Sequence, residues 1–295
     1  MSSVPKALEK RCALITGASR GLGAEIAKRY LEAGANVMIC ARGAGELNDS
    51  LLELRQFAPA GQCVVSQVAD ISSPSDVAAL VDRSIVELGR LDILVNNAGV
   101  AGPMGTVDGA DWHEWVRAIE INLLGAVLLC RAVLPHLERA GRGKIVQLSG
   151  GGATHPLAGA SAYAVSKTAV VRFVETLAEE VHGRGIDVNA LAPGAMNTRM
   201  LDAFIAAGPG VIGASLHERS VRCRREGGVP LGRAADLAVF LGASASDGIT
   251  GKLISAVWDD WKTMPRRRDD LRRSDIYTLR RIVPGDRLLD WGEPD

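Results

Sequence analysis

The sequence predicts a doubly wound α/β domain, a central parallel sheet with helices on both faces. Three observations point there: short apolar segments alternate with helical ones along most of the chain, the apolar segments are nearly continuous, and the first leads through a glycine-rich turn into a helix. A strand that is apolar on both faces belongs in a sheet covered on both sides, which is the setting of a parallel sheet with crossover helices.

Each element can be justified in turn. Cys12 to Thr16 is the first apolar run, and the helical pattern Ala24 to Glu32 follows the glycine turn, with Gly34 placed to stop it. Asn36 to Cys40 reads as a strand, Leu47 to Phe57 as a helix, Cys63 to Val68 as a strand, Ser75 to Leu88 as a helix and Leu91 to Asn96 as a strand. A long helix is expected through Trp112 to Leu137, then the strand Lys144 to Leu148, a helix from Ala162 to Val181 and the strand Ile186 to Leu191. Pro193 to Gly228 breaks the rhythm with Gly208, Pro209, Gly210, Gly213, Gly227 and Gly228. Beyond the C-terminal end of a parallel strand such an insert is placed to cover a substrate; the plainer alternative is a surface loop. A helix at Ala234 to Leu241 and a strand around Lys252 to Val257 complete the sheet.

One domain over residues 1–261, with its covering segment at 195–228, is therefore expected, followed by an extension at 262–295. At 295 residues the chain is near the size at which a single core stops growing. The extension carries a basic cluster interrupted by Asp269 and Asp270. Its apolar Ile276, Tyr277, Leu279, Ile282, Val283, Leu288, Leu289 and Trp291 argue that it packs on the active-site rim or on a neighbouring subunit. Lys plus Arg and Asp plus Glu each total 34, so no net charge draws the chain to nucleic acid or an anionic membrane, and neither is expected as a partner. The N-terminal segment has no apolar run of signal-peptide type, and Ile121 to Leu134, interrupted by Asn122 and Arg131, is too short to span a bilayer. The five cysteines are scattered without a CxxC pair, which suits reduced thiols in the cytoplasm, and the five histidines form no metal-ligand pattern, so no metal is expected.

Ala13 to Gly23 reads ALITGASRGLG. Gly17, Gly21 and Gly23 allow a sharp turn, close approach of a phosphate to the backbone and tight packing of helix on sheet. Free amides and the positive helix end would then face a pyrophosphate.

The spacing of these glycines resembles the short-chain dehydrogenase/reductase family, and further segments match in order: Asp70, the NNAG of Asn96 to Gly99, Asn122, Tyr163 with Lys167 in YAVSK, and Pro193 to Thr198 in PGAMNT. The resemblance runs from about Lys10 to Asp260 and implies a Rossmann-type domain, a nicotinamide cofactor and, through the long helices, a homodimer or homotetramer. It implies a cofactor-binding set of Gly17, Ser19, Arg20, Gly21, Leu22, Gly23, Arg42, Asp70, Ile71, Asn97, Ala98, Gly99, Tyr163, Lys167, Pro193, Gly194 and Thr198, with Asp70 at the adenine and Thr198 at the nicotinamide carboxamide. Where relatives that prefer NAD place an acid after the second strand, this chain has Ala41 followed by Arg42, and Arg20 lies nearby in the turn. Two guanidinium groups suit a 2′-phosphate, so NADP(H) is expected as the preferred cofactor, with NAD(H) as the alternative.

Tyr163 and Lys167, four apart, share one helix face, a spacing that many surface helices also show. The resemblance makes Tyr163 the general acid for carbonyl reduction or the base for alcohol oxidation. A phenol of pKa about 10 needs positive charge nearby to ionise near neutrality, which Lys167 and the oxidised nicotinamide supply. Asn122 takes the family's water-holding position, or satisfies a helix distortion. Relatives place the substrate-binding serine at the position held here by Gly150, one residue after Ser149. A one-residue insertion in GGGATHPLAGASA would deliver Ser149 Oγ to the carbonyl oxygen. Thr154, Ser161 or a backbone amide are the other donors to hand, and His155 is a candidate pocket wall. The expected reaction is interconversion of a small-molecule carbonyl and a secondary alcohol, with Asn122, Ser149, Tyr163 and Lys167 as the catalytic group. An epimerase that keeps its cofactor, and a catalytically weak dinucleotide-binding or assembly protein, are the alternatives.

Overall fold

A computed structural model describes residues 6–59 and 61–290, so Trp291 of the extension lies outside the described residues. The strands are β1 (Cys12–Thr16), β2 (Asn36–Ala41), β3 (Val64–Val68), β4 (Ile93–Asn96), β5 (Gly143–Leu148), β6 (Ile186–Ala192) and β7 (Leu253–Ser255). They form one sheet in the order β3-β2-β1-β4-β5-β6-β7, every neighbouring pair parallel. The chain winds outward from β1 to β3, then returns to lay β4 on the other side of β1. Loops therefore part above the β1–β4 seam, and a crevice opens at the C-terminal ends of the strands.

The helices are α1 (Gly21–Glu32), α2 (Ala44–Phe57), α3 (Pro74–Leu88), α4 (Trp112–Ile119), α5 (Gly125–Arg139) and α6 (Ser161–Glu180). After them come α7 (Arg199–Ala207), α8 (Pro209–Ile212), α9 (Ala214–Glu226), α10 (Leu231–Gly242) and α11 (Arg268–Arg273). On one face Ile26 and Leu31 of α1, Leu47 of α2 and Leu237 of α10 pack on Ile15, Ile39 and Val95. On the other, Leu80 of α3, Leu129 and Val133 of α5 and Val174 of α6 pack on Leu14, Leu94 and Ile145. Adjacent residues of β1 and β4 thus enter opposite cores, which is why these strands read as unbroken apolar runs.

Three features differ from the sequence expectations. The expected long helix is interrupted: between α4 and α5 the segment Glu120–Leu124 winds as a π-helix, carrying Asn122 at its centre. The whole stretch Trp112–Arg139 is long and apolar enough to cross a membrane by length and composition, and here it is a core helix of the sheet. The glycine-punctuated insert is not a loop but α7, α8 and α9, whose boundaries Gly208, Gly213 and Gly227 have φ of +77°, +77° and +88°.

Among the described residues the extension runs along the edge of the sheet. The Leu253 amide donates to Tyr277 O at 2.8 Å, and Lys252 Nζ donates to Ser274 O and Ile276 O at 2.9 and 3.0 Å. Further on, the Leu279 amide donates to Glu175 Oε1 at 2.6 Å and Arg172 donates to Leu279 O. This segment therefore covers the free edge of β7 and one side of α6, satisfying edge amides that would otherwise template pairing with another chain. The five cysteines are free thiols.

Candidate active site

The glycine turn is held by its neighbours on β4. Thr16 Oγ1 accepts from the amides of Asn97 and Ala98, both at 3.0 Å, and Asn97 Nδ2 donates to Thr16 O at 2.9 Å and Gly17 O at 3.1 Å. Gly17 has φ +64°, and a Cβ there would stand 2.7 Å from Ala98 Cα; one at Gly23 would stand 2.3 Å from Gly17 O. The turn is thus closed behind and open in front, and the open side belongs to a cleft of about 650 Å³ above the β1–β4 seam.

Most of the expected cofactor residues line this cleft: Gly17, Ser19, Arg20, Gly21, Leu22, Gly23, Arg42, Asp70, Ile71, Asn97, Ala98, Gly99, Tyr163, Lys167, Pro193 and Thr198. Gly194 stands behind the lining, at φ +87°, where a Cβ would meet Val257 Cγ2 at 2.7 Å. Its contribution is to shape the turn after β6. Asn96 points inward, donating to Ala126 O at 3.3 Å.

Asp70 is not idle. Its carboxylate accepts from the Ser72 hydroxyl at 2.6 Å, the Ser72 amide at 3.0 Å and Arg117 at 2.5 Å. Partial burial works against its charge, but the Ser72 bonds and then Arg117 hold its carboxyl below the usual range. Arg20 is paired with Glu46, whereas Arg42 is exposed.

Tyr163 and Lys167 project from α6 into the cleft floor, 8% and 4% exposed. Lys167 Nζ donates to Leu148 O at 3.0 Å and lies 5.8 Å from the centre of the Tyr163 ring. Burial pushes the phenol up to about 12 and the ammonium down to about 8. Both groups are therefore biased toward neutrality in the free protein, and the phenol keeps its proton.

Asn122 lies behind this pair. Its Oδ1 accepts from the Val100 amide at 2.8 Å, and its Nδ2 donates to Val100 O at 2.9 Å and Ser166 Oγ at 3.0 Å. These bonds pin the strand-end loop after Gly99 to α6 and commit the side chain to structure. The π-turn is the distortion that brings it there.

Ser149 prolongs β5 without a bulge, its amide donating to Leu191 O at 2.8 Å. The following residue, Gly150, faces the phenol: a Cβ on it would stand 2.2 Å from Tyr163 Oη. Ser149 Oγ is not hydrogen-bonded to the Tyr163 hydroxyl. Ser149 lines the cleft, but its Oγ is buried without a hydrogen-bond partner. Thr154 is bonded to His155 Nδ1 at 2.9 Å, both exposed, and Ser161 Oγ accepts from the Trp115 indole at 3.0 Å. None of the alternative side-chain donors is bonded to Tyr163 either.

The helical insert after β6 brings further residues to the cleft. Phe204 of α7 meets the Tyr163 ring edge-on, centroids 6.1 Å apart, and Ile212 of α8 joins the same apolar cluster with Met104, Leu157 and Met200 beside it. Glu46 and Arg199 also line the cleft mouth. An acid in the first turn of α2 and a base beginning α7 were the only traces of these two in the sequence. Among the described residues no cluster of His, Cys, Asp or Glu is suited to a metal.

A family model described as short chain dehydrogenase matches residues 11–207. The chain belongs to the short-chain dehydrogenase family. It is 33% identical over 258 residues to cis-4-hydroxycyclohexanecarboxylate dehydrogenase of Sinomonas cyclohexanicum, covering 85% of this chain and 96% of that one. Two solved relatives share the fold. NAD+-bound xylitol dehydrogenase has TM-score 0.76 and 26% identity, covering 85% of this chain and 98% of its own. Gluconate 5-dehydrogenase from Burkholderia cenocepacia, in complex with NADP and tartrate, has TM-score 0.73 and 27% identity, covering 84% and 94%. This short-chain dehydrogenase is thus an oxidoreductase of a family that interconverts carbonyls and alcohols with a nicotinamide dinucleotide.

Proposed function

We propose that the enzyme reduces an uncharged, largely apolar ketone, or oxidises the corresponding secondary alcohol, with NADP(H) preferred and Tyr163 as the proton donor or acceptor. The observation that carries this is the Tyr163 hydroxyl, which has no hydrogen-bond partner among the described residues and stands at the cleft wall between Lys167 and the apolar lid. The glycine turn, whose missing Cβ atoms leave room only on the cleft side, fits a pyrophosphate, and Pro193 and Thr198 close the opposite end. A bound nicotinamide supplies or accepts the hydride.

The protein's own residues then do the following. Tyr163 holds a proton at Oη and meets the substrate oxygen, donating as that oxygen gains charge. Lys167 places positive charge within reach of the phenol and favours its ionised form in the oxidative direction. With Gly150 in place of a side-chain donor, Tyr163 alone binds the reacting oxygen, and Ser149 is left as a cleft-wall hydroxyl. Phe204 and Ile212 exclude water from the same space. Arg42, without an ion pair among the described residues, and the absence of an acid at Ala41 support the preference for a 2′-phosphate. Free thiols suit the cytoplasm, and half-exposed Leu124 and Val165 on the long helices suit a homo-oligomer.

The test follows nicotinamide absorbance with purified enzyme, uncharged cyclic ketones, keto acids, and both NADPH and NADH. Faster oxidation of NADPH with the cyclic ketones is expected, and Arg42→Asp should move the preference toward NADH. No turnover of any ketone or alcohol with either cofactor would contradict the proposal.

A further inference from the structure

At the cleft mouth, one carboxylate joins two parts of the molecule that the sequence keeps far apart. Glu46, in the first turn of α2, pairs through Oε2 with Arg20 of the glycine turn, and its Oε1 accepts from Arg199 Nη1, the first residue of α7, at 2.7 Å. All three line the cleft. Arg199, and beyond it Arg20, hold the Glu46 carboxyl below its usual range, so it is anionic throughout the neutral region. Arg42, the residue that follows β2, has no ion pair among the described residues.

We propose that Glu46 sets the cofactor preference by competing with the cofactor's 2′ substituent for Arg20, and passes that choice to the lid through Arg199. This rests on the reading of the cleft as a nicotinamide dinucleotide site. A 2′-phosphate finds Arg42 free but Arg20 already holding an anion. Two anions on one guanidinium repel, so Arg20 turns to the phosphate and Glu46 is left on Arg199 alone. A 2′-hydroxyl carries no charge and leaves the tie between turn and lid in place. The phosphorylated cofactor is thus bound against an internal competitor and loosens the start of α7; the other cofactor does neither. An exposed pair of this kind contributes little to folding. Its effect lies in the difference between two ligands.

The experiment titrates NADPH and NADH into wild type, Glu46→Gln and Arg199→Ala by nicotinamide fluorescence. Hydrogen exchange is followed over residues 199–212. Glu46→Gln should tighten NADPH about fivefold while leaving NADH within about twofold. Arg199→Ala, which leaves Glu46 to Arg20 alone, should weaken NADPH about threefold. A merely structural role would move both variants in the same direction. In wild type the start of α7 should exchange faster with NADPH bound than with NADH, and that difference should vanish in Glu46→Gln. Equal shifts for the two cofactors, or shifts of the same sign in both variants, would overturn the proposal with the cleft assignment intact. Failure of wild type to bind either dinucleotide would overturn both.

Discussion

At the glycine turn the cleft is walled by backbone, whereas at Tyr163 it is walled by side chains gathered from α6, the end of β5 and the lid. The first wall is fixed by local conformation: Gly17 at φ +64° and Gly23 against Gly17 O leave no alternative packing, and Thr16 and Asn97 bind the two strand ends together. The second depends on a one-residue register, Gly150 rather than a hydroxyl residue facing the phenol, and on Phe204 folding back from α7. The contrast teaches that, under the proposed function, cofactor binding rests on a turn and substrate choice on packing. Substitutions at the two ends should therefore fail in different ways.

The largest effect within this comparison is expected at Lys167. Its ammonium is pushed from an ordinary 10.5 down to about 8 by burial, so the unfolded chain holds that proton more tightly than the folded one. Stability is accordingly lowered most below pH 8, and the penalty fades as pH rises toward 10.5. Lys167→Met should cut turnover about a thousandfold yet raise the melting temperature at pH 7, with the gain shrinking by pH 10. Paired activity assays and thermal melts across pH check it; a lower melting temperature at pH 7 would break the desolvation account.

Next comes Gly150→Ala. The added carbon meets Tyr163 Oη at 2.2 Å and must displace the phenol, so kcat should fall about a hundredfold with cofactor affinity unchanged. Gly17→Ala should do the reverse, weakening dinucleotide binding about tenfold through backbone strain at positive φ. Together the two variants sharpen the contrast, and equal effects on binding and turnover at both sites would erase it. Smallest is Ser149→Ala: removing a buried hydroxyl that has no partner should leave kcat within about threefold and stability unchanged or slightly raised. A hundredfold loss would return the oxygen-binding role to Ser149.

The same contrast explains what could be read in the sequence. The parallel sheet and its crossover helices were legible because the central strands are apolar on both faces and some helices carry clear end signals; α3, for instance, begins at Ser73, whose side chain accepts from the Asp76 amide, and ends at Gly89. The turn at Gly17 to Gly23 was legible for the same local reason. Whether Ser149 or Gly150 faces the phenol was not legible, because a strand's register decides which of two adjacent residues faces a helix and the glycines after it permitted either reading. The π-turn at Glu120–Leu124 leaves no mark in a helical hydrophobic pattern. Glu46 and Arg199 are 153 residues apart, and only the winding of the sheet brings them together.

The measurement that bears most directly on the account is hydride transfer in Tyr163→Phe, observed in a single turnover with NADPH bound and a cyclic ketone that wild type reduces. The account predicts NADPH affinity within about twofold of wild type and a transfer rate reduced at least about a thousandfold, since the ring, its packing on Phe204 and the cleft all persist while the transferable proton is gone. A transfer rate equal to that of wild type would contradict it.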